Sequence, residues 1–208
     1  MGNWRSGSVN LHEYRVLFVA TVGIFALLVA SPGLSRLLAL PRTEFFTEFW
    51  VLDSNRRAED YPFNVTRTGN YSVFLGIGNR LGHTAYYLVE VKLRNQTQSA
   101  PNSFNRTSSS LPSLLNVTAF VADEKTWEYP LTFSFDYVYN EALSRVEFSS
   151  LKLNDTTVDV TDFRTRWDPG NNGFLCNLFF ELWIYDAATS GFRYHERSVG
   201  LWFNMTTS

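Results

Sequence analysis

From Thr43 to the C-terminus the apolar residues of this chain recur at every second position, a period that suits an extended strand and not a helix. Val73, Leu75 and Ile77 alternate in "YSVFLGIGN", and Tyr87, Val89, Val91 and Leu93 alternate in "TAYYLVEVKLRN". Successive strand side chains point to opposite faces, so each run presents one apolar face that must be covered. "TEFFTEFWVLD", "NVTAFVAD", "TWEYPLTFSFDY", "SRVEFSSLKL", "TTVDVTDF", "FLCNLFFELWIYD" and "FRYHERSVGLWFNMT" continue the pattern. They are rich in β-branched and aromatic residues and are separated by Gly, Asn, Asp, Pro and Ser. The pattern predicts an all-β body, an Ig-like β-sandwich of about 7–9 strands. "LKLNDTTVDV" reads as a hairpin turning at Asn154 and Asp155, "RTRWDPGNNG" as a loop, and the polar stretch 95–113 as a long mobile loop with little to bury. Cys176 is the lone cysteine, so neither an inter-sheet disulfide nor a multi-thiol zinc site is available. The fold must stand on its core. With 45% apolar residues in a chain of 208, there is enough for one domain and a small appendage.

The appendage is the N-terminus. "VLFVATVGIFALLVASPGLS", residues 16–35, carries no charge and has the length of a membrane-spanning helix. A retained anchor is favoured over a cleaved signal, because Pro32 sits where the best small-residue cleavage site would be cut. Pro32 and Gly33 are expected to interrupt the helix, leaving "LSRLLALP" along the membrane surface. The expected organisation is a cytoplasmic stretch 1–15, a transmembrane anchor 16–35, an interfacial linker 36–42 and an extracytoplasmic β-sandwich 43–208.

Basic residues flank the apolar run on both sides, so they barely orient it. The sequons orient it better. Asn64, Asn70, Asn95, Asn105, Asn116, Asn154 and Asn204 each begin an Asn-x-Ser/Thr triplet without a middle proline, and all seven follow the apolar run. This favours an N-terminus inside, with the body outside and carrying N-linked glycans.

Chemistry is harder to find. The net charge is −2 and the basic residues are scattered, so nucleic acid is not an expected partner. Glu59 and Asp60 are adjacent, and neighbours in a strand point apart, whereas a glycosidase sets two carboxylates across a cleft. Spacing with Asp53 matches no calcium loop. His12, His83 and His195 form no ligand spacing, and Cys176 lies in an apolar strand that would bury it. "GIGN" is a glycine pair inside a strand pattern and not a phosphate cradle. No catalytic residue, metal ligand or cofactor site is expected. Trp127, Tyr129, Tyr137, Tyr139, Trp167, Trp183, Tyr185, Tyr194 and Trp202 exceed what one sheet interface readily buries, which points to an interaction surface or to strands covered on both faces.

The stretch "FTEFWVLDSNRRAEDYPFNVTRTGNYSVFLGIGNRLGHTAYYLVEVKL" resembles the DUF1616 family of membrane-associated proteins, found largely in archaea. Its elements F-T-E-F-Y-I-L, A-E-D-Y-P, a Gly-containing strand and a Tyr-rich partner strand are matched here at residues 46–52, 58–62, 73–79 and 86–91. The turn Glu59, Asp60, Tyr61 and Pro62 is the most specific part. "EKTWEYPLTFSF" and "FRYHERSVGLWFNMT" resemble later strands of the family. The resemblance implies an extracytoplasmic Ig-like domain and no reaction. Family members often carry several transmembrane helices, where this chain has one apolar segment.

The expected function is therefore a non-catalytic binding or assembly module, single-pass in the cell membrane, serving other membrane or cell-surface proteins. Alternatives are a surface protein that polymerises by β-strand exchange, since edges accept strands, and a carbohydrate-binding domain.

Overall fold

The structure is a computed structural model that describes residues 11–37 and 44–206, with side chains described for 14–29 and 44–206. The chain divides into two compact units, Met1–Glu44 and Phe45–Ser208.

Among the described residues of the first unit, the helix α1 spans Leu11–Leu37. It runs through Pro32 and Gly33, so the expected interruption there does not occur. A proline's fixed φ is itself helical, and inside a helix it removes one N–H bond without forcing an end. The described side chains of α1 are all exposed, large apolar ones such as Phe18 and Leu27 among them. Among the described residues no helix is long and apolar enough to cross a membrane. Most of the linker expected at 36–42 lies outside the described residues.

The second unit is β throughout apart from one 3-10 turn, Glu141–Leu143. Its strands are β1 (Phe46–Leu52), β2 (Asn64–Val65), β3 (Tyr71–Arg80), β4 (Ala85–Arg94), β5 (Leu115–Val121), β6 (Thr126–Asn140), β7 (Arg145–Leu153), β8 (Thr156–Asp159), β9 (Arg164–Asp168), β10 (Gly173–Asp186) and β11 (Gly191–Met205). Eleven strands replace the expected seven to nine. The two beyond the sequence candidates are β2, only two residues long, and β9, which falls in the stretch read as a loop.

Two antiparallel ladders carry the unit. One runs β1-β3-β6-β7, with β8 on β7, and the other runs β5-β4-β10-β11. Strand β9 pairs with both β7 and β10 and joins the ladders, and β2 adds a short parallel edge to β11. The inward faces meet in one core. Phe133 and Phe135 of β6 reach Phe203 of β11 at ring-centroid distances of 5.1 and 5.7 Å. Val73, Leu75, Ile77, Tyr87, Val89, Val91 and Leu93, the alternating residues of β3 and β4, are all buried in it. So is Cys176, whose thiol is pushed up in pKa by burial.

Several local features explain sequence signals. Asn154 opens the two-residue β7–β8 hairpin with a left-handed φ of 50°, as the sequence indicated. The glycines of "GIGN" make room for β1: a Cβ on Gly76 would lie 2.1 Å from the Trp50 ring, and one on Gly78 equally close to the Glu48 carboxylate. Tyr137, counted among the candidate surface aromatics, is a core residue whose hydroxyl donates to the carbonyls of Val65 and Thr206.

Candidate functional site

The outward face of the β5-β4-β10-β11 ladder gathers most of the polar and aromatic side chains that the core does not use. Strand register sets them in rows. Arg94, Asn177 and Trp202 form one row, Glu90 and Glu181 another, Leu88, Trp183 and Tyr194 the next, and Tyr86, Phe120, Tyr185 and Phe192 the last.

The middle of this face is closed. Glu181 is fully buried and Lys92 is 3% exposed. Lys92 Nζ donates to Glu181 Oε2 at 2.7 Å and to the Ser109 carbonyl at 3.0 Å, and pairs with Glu90 at 2.9 Å. The Ser109 N–H donates to the other Glu181 oxygen at 2.6 Å. Segment 95–113, expected to be a long mobile loop, is fastened across the sheet through Ser109. Its backbone also makes a bridge between Asn102 and Thr107. Burial alone would lower the Lys92 pKa, but the hydrogen bonds with Glu181 and Glu90 outweigh it and hold the amine above its ordinary value. A charged amine with three acceptors, beside a carboxylate without solvent access, holds a loop and is not poised to pass protons to an incoming molecule. Beside it the Trp183 indole N–H is buried without a hydrogen-bond partner among the described residues.

The far end of the same face is open. Tyr86 of β4 stacks on Phe120 of β5 with centroids 4.1 Å apart and planes 8° from parallel. Phe192 lies 5.1 Å from Tyr86 and 5.5 Å from Tyr185. Phe120 remains 73% exposed and Tyr185 41%. Tyr86, Phe120 and Tyr185 line a cleft of about 660 Å³ that also takes in His83, Asp186, Arg193 and His195.

Beneath that cleft runs a neutral polar chain. The β10–β11 register shifts between Leu182 and Trp183, where Glu196 adopts a left-handed φ of 58°. This bulge leaves His195 outside the ladder pairing and re-aims it. His195 Nε2 lies 2.8 Å from Thr47 Oγ1, which lies 3.0 Å from Tyr87 Oη, and Tyr87 donates to Asn79 Oδ1 at 3.3 Å. Burial, and next the nearby Arg197 and Arg193, lower the His195 pKa to about 4, so the imidazole is neutral at physiological pH. The chain ends on backbone, with Asn79 Nδ2 donating to the carbonyls of His83 and Val121.

The turn Glu59, Asp60, Tyr61 and Pro62 has a structural role. Tyr61 donates to the Val51 carbonyl at 2.8 Å and staples the loop to β1, while Glu59 pairs with Arg57 at the surface. The loop is organised by Asp53, which the sequence did not single out for this. Its Oδ1 accepts from the N–H groups of Asn55 and Arg57, and the bond from Arg57 chiefly holds its carboxyl below the usual range. Among the described residues no group of three or more His, Cys, Asp or Glu side chains could hold a metal ion.

The seven sequon asparagines separate by exposure. Asn64, Asn70, Asn105 and Asn116 are exposed, whereas Asn95, Asn154 and Asn204 are partly buried.

Residues 40–149 match the family described as "Domain of unknown function (DUF1616)". None of the curated proteins matches the sequence. Among solved structures, a β-glucosidase from Listeria innocua in complex with isofagomine is similar at 10% identity and a TM-score of 0.35, over 80% of this chain and 17% of that one. The same enzyme in complex with gluconolactone is similar at 12% identity and a TM-score of 0.35, over 81% and 18%. This chain thus spans less than a fifth of the length of those enzymes, and a TM-score of that size does not establish a shared fold.

Proposed function

The chain belongs to the DUF1616 family, and from that premise we propose that it is a membrane-anchored, extracytoplasmic binding module of the cell surface, without catalytic activity. In this reading residues 16–35 anchor the chain with its N-terminus inside, and the β unit is an Ig-like sandwich carrying N-linked glycans. Its partners are other membrane or cell-envelope proteins, with which it serves as an accessory subunit.

One observation carries the binding role: the aromatic cluster Tyr86, Phe120, Tyr185 and Phe192 at the open end of the β4-β10 face. A phenylalanine 73% exposed on an edge strand is unfavourable in water, and its stacking on Tyr86 preorganises a flat apolar surface. Aromatic side chains of this kind are the usual anchors of protein interfaces. The surrounding Asp186, Arg193 and His83 supply a polar rim.

Extraction of native membranes in mild detergent tests this reading. A stoichiometric partner is expected to copurify with the wild-type chain and to be lost from a Phe120→Ser, Tyr185→Ser double variant. A monodisperse, unaccompanied wild-type monomer at native abundance would refute it. Polymerisation by strand exchange is the second reading, favoured by β1 and β5, each of which pairs with a single neighbour and offers a free edge. Filaments containing this chain in electron micrographs of the cell surface would select it. Carbohydrate binding rests on stacked Trp127 and Tyr129 and on exposed Trp167, and a flat glycan-array response would remove it.

A further inference from the structure

We propose that N-linked glycans on this protein are confined to Asn64, Asn70, Asn105 and Asn116, and that the sequons at Asn95, Asn154 and Asn204 are structural and stay bare. This rests on the extracytoplasmic reading above and goes beyond it by separating the seven sequons into two chemical classes.

The distinction lies at the side-chain amide. Glycosylation joins Nδ2 to the anomeric carbon of a lipid-linked sugar phosphate. The C–O bond to the phosphate breaks, the lipid phosphate leaves with its electron pair, and one of the two Nδ2 protons passes to that phosphate. The acceptor must therefore spare one N–H and have open space beyond it.

Asn154 spares neither. Its Nδ2 donates to Tyr129 Oη at 2.8 Å and to the Pro130 carbonyl at 3.3 Å, while Oδ1 accepts from the Thr132 N–H at 2.7 Å and the Thr132 hydroxyl at 3.1 Å. The residue fixes the β7–β8 hairpin to β6. Asn204 donates from Nδ2 to Asn64 Oδ1 at 2.9 Å and accepts the Phe174 N–H at 3.0 Å. It packs so tightly on Gly173 that a Cβ there would lie 2.3 Å from its Oδ1. Asn95 donates to the Arg164 carbonyl at 3.0 Å, and its Oδ1 accepts from the Thr97 N–H, the Thr97 hydroxyl and the Gln98 N–H. Asn95 and Asn204 each keep one N–H, so what bars them is space: like Asn154, both are partly buried with Nδ2 already held against a neighbour.

The other four differ. The Nδ2 atoms of Asn64, Asn70, Asn105 and Asn116 donate no hydrogen bond within the described residues, and all four residues are exposed. Asn64 and Asn116 use only Oδ1, accepting from Asn204 and from Ser113, and that oxygen remains an acceptor after glycosylation. For Asn154 and Asn204, transfer before folding gives the same outcome. A sugar on Asn154 or Asn204 would have to enter the packed hairpin or the Gly173 contact, so such chains fail to reach the folded protein.

Intact glycopeptide mass spectrometry of the full chain purified from its native membrane tests this. Sugar on one or more of the four exposed asparagines and on none of the three others is the expected result. Sugar on Asn95, Asn154 or Asn204 in the folded protein overturns the inference and leaves the extracytoplasmic reading intact. A chain bare at all seven overturns the glycoprotein reading and the inference with it. A second measurement reads the structural role without any sugar, using the full chain made in a host that lacks N-glycosylation. Asn154→Gln and Asn204→Gln are each expected to lower Tm by about 4 °C or more, and Asn70→Gln and Asn105→Gln to leave it unchanged. Equal Tm values across the four variants would contradict the division.

Discussion

Two ends of one sheet face differ in how they meet water. In the middle of the β4-β10 face, Lys92, Glu90 and Glu181 are roofed by segment 95–113 and locked to Ser109 by hydrogen bonds and ion pairs. At the far end of the same strands, Tyr86, Phe120, Tyr185 and Phe192 have no roof. Charged groups were enclosed and apolar rings were left out, the reverse of what burial energetics alone would select. Enclosing a charge is tolerable when every donor and acceptor is matched, and the Lys92 cluster meets that condition. Leaving stacked rings in water is tolerable for a surface that is to be covered by something else. The contrast assigns stability to the roofed part, and under the proposed binding role recognition falls to the open part.

The roofed part is the place to break the fold. Glu181→Ala leaves the Lys92 amine and the Ser109 N–H short of a partner in a buried site. It is expected to cost about 3–5 kcal/mol in urea unfolding and to make segment 95–113 cleavable by added protease. A loss below about 1 kcal/mol, with the loop still protected, would mean the roof is held by something other than this cluster.

The floor of the open end has its own dependence on pH. The folded-state pKa of His195, about 4, lies below its ordinary 6.5. The unfolded chain therefore takes up this proton first as pH falls. The stability contributed by the neutral ring is whole above pH 6.5 and is lost as pH falls toward 4, by up to on the order of 3 kcal/mol. In His195→Gln that component of the slope between those pH values should vanish, leaving the part due to carboxylates. An unchanged slope would place the histidine in contact with solvent.

The open rings should matter least to the fold. Phe120→Ser and Tyr185→Ser are expected to change stability by about 0.5 kcal/mol or less, the usual range for surface positions. Larger losses would make the cluster a part of the core's cover and remove its claim to be a recognition surface.

Much of the β unit was legible from alternation, because period two commits each residue of β3, β4 and β6 to one face, whereas β10 is an almost continuous apolar run buried on both faces. The Asn154 turn and the burial of Cys176 were legible for the same local reason. Strand β9 was not, since "RTRWD" alternates no apolar residues and is extended because β7 and β10 flank it. The roof was illegible because its partners are remote in sequence: Glu181 lies 89 residues from Lys92 and 72 from Ser109. His195 meets Thr47 across 148 residues, through a bulge that no local signal marks. Tyr137 was misplaced as a surface aromatic because its hydroxyl finds two backbone carbonyls inside the core.

The division between roof and open end meets its most direct test in photo-cross-linking from two phenylalanines in native membranes. Phe120 belongs to the stacked cluster, and Phe104, 94% exposed, stands alone on the roof segment. With a benzophenone side chain placed at one or the other position of the full chain, a discrete protein adduct is predicted from position 120 and none from position 104. An adduct from position 104 alone, or from neither, would contradict the assignment of recognition to the open end.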